Sequence, residues 1–329
     1  MPSAGGSADT VRLFPHRDSG GGFKWRRPHG RPIPMWAPNP TVPSSSYSPA
    51  PRKLGFLERL RIGWQLTKLS LGVLRKEKGL ILLPFLSLLI TGAVWILFFI
   101  TIFFLTAPSD VFGFWFFYVG LAIVYFVTFF VSIYFNAAVM GAAMIRLNGG
   151  DPTISDGLKV ARENIRRIAG WALVTATVGL ILRAIAERFG FIGRIIAGAF
   201  GAAWGIITYL VVPVLIFEKI GPWAAVKRSG SLLRQTWGEA AGGYLSLGGI
   251  IVLLALPALL VPLLGFAIGG VVGLVIGFGI AVVYWLILGL VGSAAQSILV
   301  TALYRYATTG KLGFGFPENL FAARSPSVR

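Results

Sequence analysis

Arg183 and Glu187 are the charged residues best placed to do chemistry in this chain. They stand four residues apart in a long apolar run, so on a helix they share a face and can pair. An ionisable pair inside a membrane marks an ion or proton path, but the same spacing also makes a structural ion pair near an interface. With Arg188 beside it and a turn close by, the structural reading is preferred. The other polar groups in the apolar runs are neutral. Asn136, Ser293, Gln296 and Ser297 would either line a polar pocket or hydrogen-bond between helices. Glu218 and Lys219 read as the boundary of an apolar run.

Much other chemistry is excluded by composition. The chain has no cysteine, so thiolate catalysis, disulfides and cysteine-bound metals are out. Its two histidines, His16 and His29, precede the apolar region, which therefore has no imidazole for acid–base or metal work. No glycine-rich phosphate loop follows a strand, no serine has a histidine partner, and no acidic cluster suits a cation. The expectation is a protein without cofactor, metal or catalytic residue.

The elements that carry these residues are membrane-like. Hydrophobic residues make up 55% of the 329, and after residue 79 they gather in runs long enough to cross a bilayer, which takes about 20 residues. The fold class expected is all-α: a polytopic helical membrane protein with about six transmembrane helices in three hairpins. The spans fall near 80–105, 111–145, 168–186, 194–217, 241–260 and from Phe266 to Tyr304. Pro257 and Pro262 close the fifth. The second and sixth are overlong and must tilt or project beyond the bilayer.

A basic amphipathic helix is expected before each hairpin, over 54–78, 151–167 and 221–239. In the second, Ile154, Leu158, Ala161, Ile165 and Ile168 repeat at helical steps, and Thr153 and Asp156 have capping-box spacing. In the third, Val226, Ser229, Leu233 and Trp237 do the same. Pro152 and Pro222 open the second and third units alike, and Ala143–Arg146 echoes Ala302–Arg305, which suggests an internal repeat.

The net charge of +18 fits anionic lipid rather than nucleic acid, because Lys and Arg cluster at the edges of the apolar runs. Arg162, Arg166, Arg167, Lys227, Arg228 and Arg234 are the expected headgroup contacts. After residue 51, every Lys and Arg except Arg183, Arg188 and Arg194 falls on one side of the six-span arrangement. Both termini are therefore expected in the cytoplasm, with the protein in the plasma (inner) membrane. The charged pair leaves open whether the second hairpin crosses fully.

Two stripes of small residues are expected to pack helices: Gly193, Ala197, Gly201 and Gly205 in the fourth span, and Gly265, Gly269, Gly273 and Gly277 in the sixth. Packing within one subunit is preferred to a homo-oligomer interface or a glycine-lined pore. Residues 54–315 form the expected membrane domain. Residues 316–329 read as a loosely ordered tail. Residues 1–53, with ten of the 19 prolines, read as a disordered tail, basic enough for lipid or nucleic acid, or as an over-extended start with the true one at Met35 or beyond.

Several stretches together resemble a family of uncharacterised prokaryotic polytopic membrane proteins, a domain of unknown function. They are Gly149-Gly-Asp-Pro-Thr153, Trp171–Thr177 running into Gly179–Arg183, Val211-Val-Pro213, Lys227-Arg-Ser229, Thr236–Glu239, and Ala302–Thr308 with Gly310. The resemblance covers about 54–315 and implies location and topology, with no activity to carry over. A looser likeness is to the membrane domains of glycerophosphodiester phosphodiesterases. The functional expectation is a non-enzymatic membrane scaffold or envelope-organising factor; the alternative is a small-solute or lipid permease subunit, and an enzyme acting at the membrane face ranks last.

Overall fold

A computed structural model describes the chain over residues 14–17, 23–26, 33–34, 64, 68, 70–72, 74–75, 77–105 and 111–310, with the side chains of 111–115 and 235–246 left aside. In the N-terminal stretch read as disordered, three short strands pair antiparallel in chain order: β1 (Phe14–Arg17), β2 (Phe23–Arg26) and β3 (Ile33–Pro34). The rest of that stretch, most of the amphipathic helix expected over 54–78, the 106–110 turn and the C-terminal tail lie outside the described residues.

From Lys78 onward the described chain is helical. A short 3-10 turn, Lys78–Ile81, leads into α1 (Leu82–Leu105), followed by α2 (Val111–Leu147), α3 (Ile154–Glu163), α4 (Ile165–Arg188), α5 (Gly190–Ile207), α6 (Val211–Phe217), α7 (Pro222–Ala255) and α8 (Leu260–Thr309). Five segments are long and apolar enough to cross a membrane: Gly79–Phe104, Phe116–Leu147, Ile165–Arg188, Gly190–Phe217 and Leu247–Thr309.

The helices divide into two zones. Along α1, the first part of α2, α4, α5 and the α7–α8 hairpin, large apolar side chains face outward; Phe103 is 80% exposed and Ile268 88%. Leaving a Phe or Ile in water forgoes about 1.5–3 kcal/mol of burial, so this zone is built for lipid. At the other end the same helices enter a closed core. Ala137–Met144 of α2, nearly all of α6 and most of 294–306 in α8 are buried together. This answers the overlong runs: α2 is roughly 55 Å long at about 1.5 Å per residue, and its far end is covered by protein instead of lipid.

Small residues close that core. An added Cβ on Gly157 of α3 would lie 2.5 Å from the Ala138 carbonyl oxygen, and one on Gly141 of α2 would lie 2.8 Å from Val160 Cβ. So α3 sits backbone to backbone on α2. Its start carries the expected capping box: Thr153 Oγ1 accepts from Asp156 N at 3.2 Å, and Asp156 Oδ2 accepts from Thr153 N at 3.0 Å. Asn164 then breaks the helix, so the stripe read over 151–168 is divided, and Ile165 is left exposed. The third amphipathic segment is also corrected. Residues 221–239 form no separate helix; α7 runs unbroken from Pro222 to Ala255, because nothing at its middle caps or terminates it.

The third hairpin turns later than its prolines suggest. Gly269 (φ −128°, ψ 19°) and Gly270 (φ 56°, ψ −138°) leave the helical region inside α8. Gly270 holds a combination that a side chain would strain. Gly265 backbone meets Gly273, Val261 meets Gly277, Leu254 meets Tyr284 and Ile251 meets Gly292. Each pair is centred close to Gly269–Gly270, so the chain reverses there, and Pro257 and Pro262 lie within one arm. Pro257 falls in a 3-10 turn, Leu256–Leu259. Carbonyls at this change of helix type find donors across the hairpin: Tyr284 Oη donates to Leu254 O at 2.8 Å and Trp285 Nε1 to Ala255 O at 3.1 Å. Replacing Trp285 with Phe should lower thermal stability in detergent by about 0.6–1.5 kcal/mol. Unchanged melting would remove this bond from the account.

Candidate functional site

Ion pairs gather at the core end of the bundle. Arg146 near the end of α2 bonds Asp151 and lies 3.4 Å from Glu77. Arg228 of α7 donates from Nε to both Glu218 oxygens, at 3.1 and 3.2 Å, and Tyr304 Oη lies 3.4 Å from the same carboxylate. Lys219 is 3.9 Å from Glu163. Arg305 of α8 donates to the Leu147 carbonyl. These contacts put the ends of α2, α3, α6 and α8 and the start of α7 at one level. The two helix ends with echoing sequence, Ala143–Arg146 and Ala302–Arg305, are thus neighbours, each carrying one arginine of this layer. Gly310 closes α8 in a left-handed turn (φ 70°) with its N–H on Tyr306 O at 2.8 Å.

Ser229 ties the same layer to the break between α5 and α6. Fully buried, it accepts from Leu210 N at 3.1 Å and donates to Ile207 O at 2.7 Å. Both are backbone groups that an unbroken helix would satisfy by itself.

The candidate charged pair does form. Arg183 Nε lies 2.7 Å from Glu187 Oε1, and Arg183 Nη1 donates to Tyr125 Oη at 3.0 Å. The side chains are 49% and 64% exposed, so the pair fastens α4 to α2 on an outer face and lines no internal path. Of the expected headgroup cations, Arg162, Arg166, Lys227, Arg228 and Arg234 are exposed. Arg167 is half-buried and donates to Asn164 Oδ1 at 3.0 Å, and Arg228 is engaged by Glu218.

The glycine stripes are redistributed. Gly265, Gly269, Gly273 and Gly277 do not make one helix face: Gly265 is on one arm, Gly269 is in the turn with open space around it, and Gly273 and Gly277 are on the returning arm. An added Cβ on Gly277 would lie 2.7 Å from Val261 O, and one on Gly273 would overlap Gly265 O. In α5, Gly193 packs on the Ile185 carbonyl across the 188–190 turn and Gly201 faces Leu182 of α4 at 3.6 Å; Ala197 is half-buried and Gly205 faces open space.

The neutral polar residues converge on a different feature. A cavity of about 330 Å³ lies between α1, α2 and α8, lined by Pro84, Ser87, Leu88 and Thr91 of α1, Ser132 and Asn136 of α2, and Trp285, Leu286, Gly289, Leu290 and Ser293 of α8. Next to two of these lining residues, Ser297 Oγ donates to Asn136 Oδ1 at 3.2 Å and to Ser293 O at 3.1 Å. Gln296 is elsewhere, donating to Tyr209 Oη at 3.0 Å. Ser87, Thr91 and Ser132 were not singled out from sequence. The available signal was their spacing: Ser87 and Thr91, Ser132 and Asn136, and Ser293 and Ser297 are each four apart on one helix. Among the described residues no group of acidic or histidine side chains could hold a metal.

A family model described as a family of unknown function, DUF6159, matches residues 115–314. No curated protein matches the chain, and the looser likeness to glycerophosphodiester phosphodiesterases finds no support. The match opens within α2 and takes in α3 to α8, so the third side of the cavity, α1, precedes it. Matched over more than half of its length, from Trp115 in α2 to a point just past the glycine that ends α8, the chain belongs to the DUF6159 family, a family of unknown function.

Proposed function

We propose that the protein is a non-enzymatic scaffold of the plasma membrane, crossing it six times with both termini in the cytoplasm. Leu247–Thr309 supplies two of the crossings by reversing at Gly269–Gly270. The observation that carries this reading is the division of labour among charged side chains. At the core end, Arg146, Glu163, Glu218, Lys219, Arg228 and Arg305 engage other parts of the fold. Lys159, Arg162, Arg166, Lys227 and Arg234 are exposed at that end with no ion pair among the described residues. A row of free cations beside an apolar belt suits anionic headgroups, each cation contributing about 1 kcal/mol near the surface. A permease would place ionisable groups along its cavity, and the described residues that line this one are neutral.

Reconstituted in vesicles and extracted gently, the protein should retain phosphatidylglycerol over phosphatidylcholine in native mass spectra. Changing the five free cations to Gln should remove that preference while leaving the fold intact. Vesicles carrying the parent protein should also swell no faster in glycerol, urea or amino acids than empty ones. Retention that ignores the five substitutions, or solute entry above the empty-vesicle rate, would overturn the scaffold reading.

A further inference from the structure

The cavity between α1, α2 and α8 carries an inference that the scaffold reading does not contain. Threonines in the apolar helices of this protein usually turn their hydroxyl back to the carbonyl four residues earlier, as Thr101, Thr175, Thr177 and Thr208 do at 2.7–2.9 Å. Thr91 and Thr128 do not; of the two, Thr91 lines the cavity, its buried Oγ1 without a partner. Ser87 and Ser132 make no hydrogen bond among the described residues, and the amide nitrogen of Asn136 donates to none, although its oxygen accepts from Ser297. One buried unpaired hydroxyl, that of Thr91, thus shares this space with polar groups of the half-buried Ser87, Ser132 and Asn136 that make no bond there. Leaving the Thr91 hydroxyl buried and unpaired carries a desolvation cost, which an occupant with a matching group would offset.

The shape and surroundings narrow the occupant. Among the described residues no charged side chain lines the cavity, and the polar part that they form is neutral. The volume equals roughly ten waters at about 30 Å³ each, enough for the glycerol and ester region of a lipid but not for its chains. At the rim Leu88 and Leu286 are 39% and 46% exposed, part of the lipid-facing zone, so chains could remain in the bilayer. We infer that this cavity binds the uncharged hydroxyl-and-ester head of a neutral glycerolipid of the diacylglycerol type, entering sideways from the half of the bilayer nearest the buried core.

The absence of cysteine makes the test clean. Full-length Ser132→Cys protein is reconstituted in phosphatidylcholine vesicles, and labelling of its single thiol by N-ethylmaleimide is timed. Addition of dioleoylglycerol should slow labelling about fivefold, as occupancy at several times the dissociation constant requires. The same mole fraction of phosphatidylglycerol, or free glycerol, should not. Thr91→Val in the same background, which keeps side-chain shape but removes a hydroxyl, should restore most of the rate. A thiol at the exposed Leu173→Cys should label alike in every vesicle, separating site protection from a change in the bilayer. A thiol at 132 that never reacts, a rate indifferent to dioleoylglycerol, or equal protection by phosphatidylglycerol or glycerol would each overturn the assignment. None of these outcomes depends on the five surface cations, so this test and that of the scaffold reading fail separately.

Discussion

Replacing Gly273 with leucine should destabilise the protein in detergent by about 3 kcal/mol, the upper end of what overpacking usually costs. The reason is the hairpin at Gly269–Gly270, which brings the two arms together with Gly273 facing the Gly265 carbonyl. Even the Cβ of alanine would overlap that oxygen, so Gly273→Ala should lose a sizeable part of the same stability. This differs from the expectation for two helices meeting at a stripe of small residues, where alanine is well tolerated. Gly279 provides the control. It lies on the same arm with open space where its Cβ would be, and leucine there should melt like the parent because lipid accepts it. Equal melting for the Gly273 and Gly279 leucine variants would remove the close hairpin from this account.

Loss of the Ser229 hydroxyl should cost about 2 kcal/mol, within the range for stranding a buried polar group. Ser229 spans the break between α5 and α6, taking the Leu210 N–H and giving its own proton to Ile207 O. Alanine fits the space but leaves both backbone groups without the partner that Ser229 supplies in the buried core. The neighbouring Ser231 is exposed and bonds only its own turn at Arg228 O, so Ser231→Ala should change stability by less than about 0.5 kcal/mol. Thermal melts of the two variants decide the point; similar small losses would mean that the α5–α6 break is held by something other than Ser229.

Helix existence was readable where hydrophobicity alone decides it. The run from Val111 to Ile145 became α2, ending two residues later at Leu147, and the reversal near Arg188 separates α4 from α5. The Thr153–Asp156 cap was readable because capping depends on local spacing. Reversals inside continuous apolar sequence were not. Pro257 and Pro262 signalled a stop, yet the 3-10 turn and the donors on Tyr284 and Trp285 let the arm continue to Gly269. Of the stripes read in the second and third units, Ala161, Ile168, Ser229 and Leu233 are buried and Ile165 is exposed. The buried ones face protein, however: α3 packs on α2, and α7 carries its stripe straight on into an apolar arm. Period alone cannot tell a helix that lies on lipid from one that lies on another helix. The cavity was half legible. Asn136 and Ser293 were visible as polar residues in apolar runs, whereas Ser87, Thr91 and Ser132 are too common in such helices to stand out individually.

In the proposed arrangement the bundle spans the membrane with its charged core end in the cytoplasm and the Arg188 turn outside. Two single-cysteine variants of this cysteine-free chain, Arg188→Cys and Lys227→Cys, test it through one measurement: labelling by a membrane-impermeant maleimide in intact cells and again after lysis. Both positions are exposed, so access depends on sidedness. The thiol at 188 should label in intact cells and the thiol at 227 only after lysis. Labelling of both from outside, or of 227 alone, would contradict the account.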